Sequence, residues 1–366
     1  MRVAIWGNTF PNFGGIERFV AGYGAALQSR GHHVQGISAG RTQAKATAFP
    51  VAYFPIDAVG AHHQNPEALF ALSAAIQEIT KLLHTFKPDV LHCHLSGFDL
   101  FALDRVLRKI NCPIVLTVHL GLREPIWKKP NPTFTRILAR AQTCTFVSGY
   151  LARAAQELPL FAQTTKRVIP NGMPPLALDG IARDPNRVVA LGRIVPEKGF
   201  DVLVRAAQLL VRDVSEAKVV IYGDGPEREP LIELARSLGL AGAVTLPGWA
   251  RHDQTHGLLQ GAAVAAVPSV WQEPFGLTVL EAAMAQTPVA ASAVGAIPDL
   301  LHDGDTGLLV PPNDPEALAQ ALRSLLIKPA TARQMGKAAR AHVVANFAHG
   351  PMVDAYESVL LAAQEA

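Results

Sequence analysis

One pattern occurs twice in the chain: a short apolar run that reads as a buried β-strand and stops at a glycine. Residues 2–7 (RVAIWG) form the first copy and residues 187–192 (RVVALG) form the second. After each copy, further apolar runs alternate with amphipathic segments. Strands that alternate with helices predict a mostly parallel sheet with helices on both faces. We therefore predict an α/β protein with two doubly wound, Rossmann-like domains.

The length and one breaker-rich segment divide the chain between these domains. A chain of 366 residues is too long for one ordinary core and suits two domains of similar size. Turn-forming and helix-breaking residues cluster at 169–175 (IPNGMPP), and no apolar periodicity follows up to residue 186. We assign residues 1–173 to an N-terminal domain and 174–348 to a C-terminal domain. The final segment, about 349–366, has apolar residues at helical spacing and must pack on one of the two.

Charge and cysteine usage narrow the class of protein. A net charge of +3 is too small to indicate nucleic-acid binding, and we expect no nucleic-acid partner. Cys93, Cys112 and Cys144 form an odd set without metal-ligand spacing, which favours a reducing compartment. The start of the chain does not resemble a signal peptide, and no run of 18 apolar residues could span a bilayer. We expect a cytoplasmic protein, at most peripheral at the inner face of the cell membrane.

The second half contains a corner between a strand and a helix. Residues 262–269 (AAVAAVPS) read as a buried strand, and a helix is predicted to begin near Gly276 or Leu277. The first N–H groups of a helix have no intrahelical acceptor and lie at the positive end of its dipole. Glu273 lies on the loop and Glu281 is expected about two turns into the helix. Such a corner is suited to an anionic or polyhydroxylated ligand.

Two cations follow the second copy of the strand and glycine pattern. Arg193 comes directly after the strand, and Lys198 precedes the glycine that opens the next predicted helix. Because ligands collect at the carboxyl ends of parallel strands, we expect both at the mouth of a cleft between the two domains. They are suited to clamp a diphosphate, which an arginine binds bidentately. The alternative is an ordinary pair of surface cations.

The first half has a glycine pair and histidines near the ends of its predicted strands. Gly14 and Gly15 precede the first predicted helix, and they either form a tight turn or allow a phosphate or sugar to approach the backbone. This loop lacks the glycine fingerprint of dinucleotide-binding dehydrogenases, so hydride chemistry is not supported. His92 and His94 share one strand face, yet nothing at metal-ligand spacing completes a site with them. His119 ends a buried strand, either as a site residue or as a histidine hydrogen-bonded to backbone.

A loop of different composition follows His119. Residues 121–140 contain prolines, a tryptophan and five basic residues, and regular structure is expected only after Pro132. This segment is either an acceptor loop, a basic contact with a membrane surface, or an ordinary solvated loop.

Together these motifs resemble family 4 of the retaining glycosyltransferases, also called glycosyl transferases group 1. The resemblance covers nearly the whole chain and is most specific in the second half, where two glutamates are separated by seven residues inside a long matching context. The matching segments are 14–15, 191–193, 197–199, 222–225, 268–269, 273–281, 288–290 and 307–310. The resemblance implies the GT-B fold: two facing Rossmann-like domains with a cleft between them, and a C-terminal helix that packs back on the first domain.

The resemblance also implies roles for individual residues. Glu273 would hydrogen-bond the donor sugar, Glu281 would bind the ribose, and two cations would hold the diphosphate and stabilise the leaving group. Those cations are Arg193 and Lys198. Backbone groups would contact the sugar or the phosphates at Phe275, Gly276, Leu277, Gly14 and Gly15. His119 would lie beside the reacting sugar.

The implied activity is transfer of a hexosyl or related sugar from a UDP- or GDP-sugar to a hydroxyl of a glycan, glycolipid or small molecule. We expect no cofactor and no metal ion, since two cations can neutralise the diphosphate. No carboxylate is placed as a covalent nucleophile. The resemblance implies retention by front-face attack, with the leaving phosphate taking the acceptor proton. The alternatives are a non-catalytic nucleotide-sugar-binding protein and a GT-B enzyme that epimerises or hydrolyses the nucleotide sugar.

Overall fold

The computed structural model describes residues 1–7, 15–38, 47–54, 66–95, 100–119, 121 and 131–365. By its internal contacts the chain forms two compact units. The first unit comprises Met1–Gly172 together with Gly350–Ala366, and the second comprises Met173–His349. The sequence places the boundary after residue 173 and the final segment from about residue 349. No described helix is long and apolar enough to cross a membrane.

The first unit is built on a parallel sheet. Its strands are β1 (Arg2–Gly7), β2 (His33–Ser38), β3 (Val51–Tyr53), β4 (Val90–Leu95), β5 (Ile114–Val118), β6 (Ala141–Phe146) and β7 (Lys166–Val168). They lie in the order β3-β2-β1-β4-β5-β6-β7, and every neighbouring pair is parallel. The order reverses between β1 and β4, which is the switch point where doubly wound sheets bind ligands.

Helices cover this sheet. They are α1 (Gly15–Ser29), α2 (Pro66–Phe86), α3 (Leu100–Leu107), α4 (Pro132–Ala139) and α5 (Gly149–Gln156). α4 shows how the sequence starts a helix. The side chain of Asn131 accepts hydrogen bonds from the backbone N–H groups of Thr133 and Phe134, and Pro132 occupies the first turn, where its missing N–H costs nothing.

The second unit repeats the architecture. Its strands are β8 (Asp184–Leu191), β9 (Lys218–Tyr222), β10 (Val244–Gly248), β11 (Ala262–Val267), β12 (Val289–Ser292) and β13 (Leu308–Val310), in the order β10-β9-β8-β11-β12-β13. All neighbouring pairs are parallel, and the switch point lies between β8 and β11. The helices are α6 (Phe200–Asp213), α7 (Arg228–Ser237), α8 (His252–Gln260), α9 (Leu277–Met284), α10 (Ile297–Leu300), α11 (Pro315–Ile327) and α12 (Pro329–Asn346).

The last helix, α13 (His349–Glu365), completes the core of the first unit. Its buried residues Met352, Tyr356 and Leu360 belong to the same apolar cluster as Ile5 of β1 and Tyr23 of α1. The Tyr356 ring lies 5.1 Å from the Tyr23 ring. The amphipathic helix predicted at the end of the chain is therefore present, and its apolar face is buried against the first sheet.

The predicted fold class of two Rossmann-like parallel α/β domains is confirmed. Several predicted boundaries were wrong by a few residues. β8 begins at Asp184 rather than at residue 187, because the Asp184 N–H donates to the carbonyl of Gly261 and the strand thus starts with polar residues. The strands β3 and β7 were not predicted, since three residues are too few to show an alternating pattern.

Candidate active site

The predicted residues of the second unit follow the two strands that flank its switch point. β8 and β11 are neighbours, with Val264 beside Val188 and Ala265 beside Val189. β8 leads into Arg193 and Lys198, and β11 leads into Glu273. Parallel strands end at the same edge of a sheet, so this topology brings together groups about 75 residues apart in sequence.

A glycine turn joins the two segments that leave these strands. Gly199 has φ +62°, and a Cβ atom there would lie 2.1 Å from the carbonyl oxygen of Pro268. The backbone N–H of Val270 donates to the carbonyl of Glu197 at 3.0 Å. The turn that carries Lys198 is therefore held directly against the loop that carries Glu273, and only glycine allows this approach.

At their meeting point Lys198 and Glu273 form an ion pair. The Lys198 Nζ lies 2.5 Å from Glu273 Oε1, and the Ser269 hydroxyl donates to the same oxygen at 2.7 Å. Glu273 is only 6% exposed, whereas the side chain of Lys198 is 23% exposed. A buried carboxylate needs such partners, because an unpaired charge out of water is strongly unfavourable.

The backbone of Glu273 is fixed from the other side by the loop after β12. The N–H of Ala296 donates to the carbonyl of Glu273 at 2.8 Å. Gly295 has φ +57°, and a Cβ there would lie 2.2 Å from the Glu273 carbonyl oxygen and 2.4 Å from its nitrogen. The N–H of Gly295 also donates to Gln272 Oε1 at 3.1 Å. Main chain and side chain together thus restrict Glu273 to one position.

The helix predicted after this loop begins where expected. α9 starts at Leu277, and Gly276 precedes it with φ +107°, a left-handed conformation that favours glycine. Phe275 is buried and packs edge-on against Phe347 at 6.0 Å. Glu281 is the fifth residue of α9, less than the predicted two turns from its start, and it is half-buried.

Arg193 differs from Lys198 in its surroundings. It is exposed, and no ion pair or side-chain hydrogen bond joins it to another residue in the described part of the chain. The local backbone is nevertheless ordered: the neighbouring Ile194 N–H donates to the carbonyl of Asp224 at 2.8 Å, and Gly223 lies directly against Gly192. A cation is thus presented at the strand end on a close-packed turn.

In the first unit, His119 follows β5 and is paired with a histidine of β4. His94 Nδ1 lies 2.9 Å from His119 Nε2, and both side chains are buried. Burial lowers the pKa of His119 to about 3. Burial, and then His92 and His119, hold the pKa of His94 well below its usual range. One interpretation of the sequence was that His119 bonds to backbone. In the structure its partner is instead the side chain of His94.

His92 belongs to a separate set of hydrogen bonds. Its Nδ1 lies 3.0 Å from the Tyr23 hydroxyl, and its Nε2 lies 2.7 Å from the Thr117 hydroxyl. Burial lowers its pKa to about 3, so the ring is neutral. Among the described residues, no group of three or more His, Cys, Asp or Glu side chains is arranged to hold a metal ion.

Part of the predicted acceptor side lies outside the described residues. Gly14 and residues 122–130 belong there, whereas Gly15 is the first residue of α1. Two of the basic residues before position 141 hold α4 against α3: Arg136 Nη2 donates to the Asp104 carboxylate at 2.9 Å, and Arg140 donates to the carbonyl of Leu107. These two arginines therefore have structural partners.

Sequence reasoning missed two polar partners. Ser269 was part of a quoted motif but was not assigned to the site, and His94 was considered only as a metal ligand. Ser269 lies four residues before Glu273, and His94 is the penultimate residue of β4, the strand next to β5. A polar residue at a strand end beside a predicted site residue is the signal that would have indicated both.

Two family models match the chain, one in each half. Residues 13–175 match the family described as Glycosyltransferase Family 4, and residues 179–342 match Glycosyl transferases group 1. The chain is 30% identical over 296 residues to glycogen synthase of Mycobacterium tuberculosis, an alignment that covers 76% of this chain and 70% of that protein. The chain belongs to glycosyltransferase family 4. The predicted family is thus confirmed.

Solved structures confirm the GT-B fold of this family 4 chain. Sucrose-phosphate synthase of Thermosynechococcus elongatus has a TM-score of 0.80 and 22% identity, over 99% of each chain. HepE of Anabaena, in complex with UDP and glucose, has a TM-score of 0.78 and 17% identity, over 99% of this chain and 100% of HepE. At these identities the structural likeness shows the fold alone. The family matches show that the chain is a glycosyltransferase, and the solved structures show that its fold is of GT-B type.

Proposed function

We propose that this glycosyltransferase transfers a sugar, with retention of the anomeric configuration, from a nucleotide-diphosphate sugar to an acceptor hydroxyl. The observation that carries the proposal is the ion pair of Lys198 and Glu273 at the switch point of the second sheet. It places a cation and a carboxylate side by side where such sheets bind ligands. A glycosyl transfer needs this combination, because negative charge develops on the leaving diphosphate and positive charge on the sugar ring.

In this proposal Glu273 holds the donor sugar through one defined oxygen. Both hydrogen bonds found for its carboxylate go to Oε1, from Lys198 and Ser269. Oε2 is therefore the atom that accepts hydrogen bonds from sugar hydroxyls. Backbone N–H groups of Phe275, Gly276 and Leu277, at the start of α9, complete the sugar site.

Lys198 connects the sugar to the leaving group. An ammonium group has three N–H donors, and Glu273 uses one of them, which leaves two for phosphate oxygens. Arg193 adds the second cation and can bind the diphosphate bidentately. Glu281 of α9 binds the ribose. Together they stabilise the leaving diphosphate without a metal ion or another cofactor.

In this proposal His119 acts as a neutral imidazole. Its lowered pKa means that it binds a hydroxyl by hydrogen bonding rather than by charge. The proton of the attacking acceptor hydroxyl passes to the leaving phosphate, and no carboxylate serves as a covalent nucleophile. Attack therefore occurs on the face that the diphosphate leaves, and the configuration is retained.

A uridine nucleotide is the first donor to test, since HepE was solved with UDP and with UDP-glucose. The acceptor is a saccharide, a lipid-linked glycan or a small molecule, and a lipid acceptor would bring the protein to a membrane surface. Thermal shift against UDP-, GDP-, ADP- and TDP-sugars identifies the donor, because a ligand that binds the folded state raises its apparent stability.

The anomeric configuration of the purified product, measured by NMR, then tests the mechanism. Retention is expected, and inversion would refute it. Donor consumption without any acceptor would indicate an epimerase or hydrolase instead. Tight donor binding without turnover across an acceptor panel would indicate a non-catalytic nucleotide-sugar-binding protein.

A further inference from the structure

His94 and His119 form one closed hydrogen-bonded pair at the carboxyl edge of the first sheet. They lie on adjacent parallel strands or directly after them, with His94 beside Thr117 of β5. The bond joins His94 Nδ1 to His119 Nε2 at 2.9 Å. Only 1% of His94 and 4% of His119 is exposed, so bulk water does not compete for these nitrogens.

Neighbouring rings hold the pair in place. Phe19 packs edge-on against both, with ring centroids 5.9 Å from His94 and 5.5 Å from His119. The His92 ring lies 4.2 Å from the His94 ring, but both of its nitrogens already bond to Tyr23 and Thr117. The pair is therefore separate from the other hydrogen bonds on this face of the sheet.

Both rings are neutral near neutral pH, because burial lowers the pKa of each. A neutral imidazole has one N–H donor and one acceptor nitrogen. If His94 donates from Nδ1, His119 accepts at Nε2 and carries its own proton on Nδ1. If His119 donates from Nε2, His94 accepts at Nδ1 and carries its proton on Nε2. In either case the two rings have the same tautomer.

The two outer nitrogens, His94 Nε2 and His119 Nδ1, are buried and have no hydrogen-bond partner among the described residues. The shared tautomer makes one of them a donor and the other an acceptor. Buried polar atoms of this kind are normally satisfied, and a hydroxyl group can pair with either state because it both donates and accepts a hydrogen bond.

We propose that His94 is a positioning residue that couples its tautomer to that of His119, so that a sugar hydroxyl bound at His119 Nδ1 sets the state of both rings. The identity of the hydroxyl as part of a sugar rests on the proposed function. The coupling itself depends only on the bond between the two rings.

The coupling is measured directly by NMR on protein labelled with ¹⁵N-histidine, at pH 7 and without substrate. Long-range ¹H–¹⁵N correlations distinguish the two neutral tautomers. The chain has 13 histidines, so the two rings are assigned by the signals lost in His94→Asn and His119→Asn. Identical neutral tautomers support the proposal, and opposite tautomers or a charged ring overturn it.

Two substitutions of His94 separate positioning from simple packing. His94→Leu removes the bond, and we expect His119 to populate both tautomers and kcat/KM to fall about tenfold, the effect of one lost hydrogen bond. His94→Asn keeps an amide near the position of Nδ1 that can donate or accept, and should recover the rate to within about twofold. Cys93→Ala, on the same buried strand, is the control and should change neither.

An unchanged His119 tautomer and rate in His94→Leu would overturn the proposal, as would a His94→Asn variant as slow as His94→Leu. If His94→Leu does not fold, the wild-type spectrum and the asparagine variant decide. An absence of sugar transfer in the wild-type protein would refute the proposed function, while the spectra would still decide the coupling.

Discussion

At the carboxyl edge of the first sheet the key side chains are buried and neutral, whereas at the same edge of the second sheet a buried carboxylate is paired with a partly exposed lysine. His94 and His119 have lowered pKa values because burial disfavours the imidazolium form. Lys198 and Glu273 are close enough to remain an ion pair, and the lysine keeps contact with solvent. One sheet topology thus supports two electrostatic environments.

The difference arises from what surrounds each strand end. In the first unit α1 and α13 bring the aromatic rings of Phe19, Tyr23 and Tyr356 against one face of the sheet. In the second unit glycines at 199 and 295 let loops approach each other by backbone contact. An aromatic cover excludes water and favours neutral groups, while a close-packed polar loop supplies partners for charges.

The largest effect is expected where charge acts on the reaction. Lys198→Ala and Glu273→Ala should each lower kcat about 10²–10³-fold, the usual cost of removing one group that stabilises the transition state. Steady-state kinetics with the identified donor measures this. Lys218→Ala is the matched control, since Lys218 lies exposed at the opposite end of β9. Near-normal rates in both variants, with melting curves like wild type, would remove the two residues from the proposed site.

The backbone contact behind Glu273 should have the next largest effect. Gly295→Ala would place a Cβ 2.2 Å from the Glu273 carbonyl oxygen at φ +57°, so we expect about 3 kcal/mol of destabilisation. Gly304→Ala is the control, because Gly304 also has positive φ, at +79°, but nothing lies within 4 Å of its Cβ position. It should cost about 1 kcal/mol. Equal losses of unfolding free energy for the two variants, measured by urea unfolding, would show that the contact between Gly295 and Glu273 does not affect stability.

Acid should act on the first unit through its neutral histidines. His92 has a pKa of about 3 when folded and 6.5 as its ordinary value. Between these values the unfolded chain binds a proton that the folded chain does not, so the free energy of unfolding falls as the pH falls. His92→Asn should flatten that dependence by about 1 kcal/mol per pH unit between pH 6 and 4. Urea unfolding at several pH values measures it, and identical slopes would contradict the lowered pKa.

The smallest effect is expected for the ion pairs between α13 and the turn that joins α1 to β2. Glu357 accepts from Arg30 at 2.5 Å and from His32 at 2.7 Å, and both bonds lower its pKa. Glu357→Gln should destabilise the protein by less than about 1 kcal/mol, since the pair is partly solvated. Asp354→Asn removes the more exposed partner of Arg30 and should cost less still. A larger loss of unfolding free energy for Asp354→Asn than for Glu357→Gln would contradict this order.

Strongly patterned segments were predictable from sequence because each contains several independent signals. The strand predicted at 262–269 is β11 (Ala262–Val267), the helix predicted near Gly276 or Leu277 is α9, and the alternation of strands and helices was sufficient for the fold class. β3 and β7 were not predicted, because they depend on pairing with β2 and β6 rather than on their own pattern. Sequence thus specifies an element best when its local pattern is long.

Sequence predicted the residues of the candidate site but not their pairings. Glu273, Lys198 and His119 were predicted from their positions near strand ends and from the family motif, and their roles stay predictions. Lys198 bonds Glu273 because β8 and β11 are neighbours in the second sheet, and His94 bonds His119 because β4 and β5 are neighbours in the first. Such order follows from tertiary packing, and no local pattern reports it.

The packing of α13 also has a consequence for how the protein is made. The first unit consists of residues up to 172 and from 350 onwards, and Tyr356 and Leu360 are fully buried in its core. During synthesis the segment up to residue 172 leaves the ribosome long before α13 is translated. The second unit, continuous in the chain, therefore has its complete core first, and the unit that begins the chain is the last to be finished.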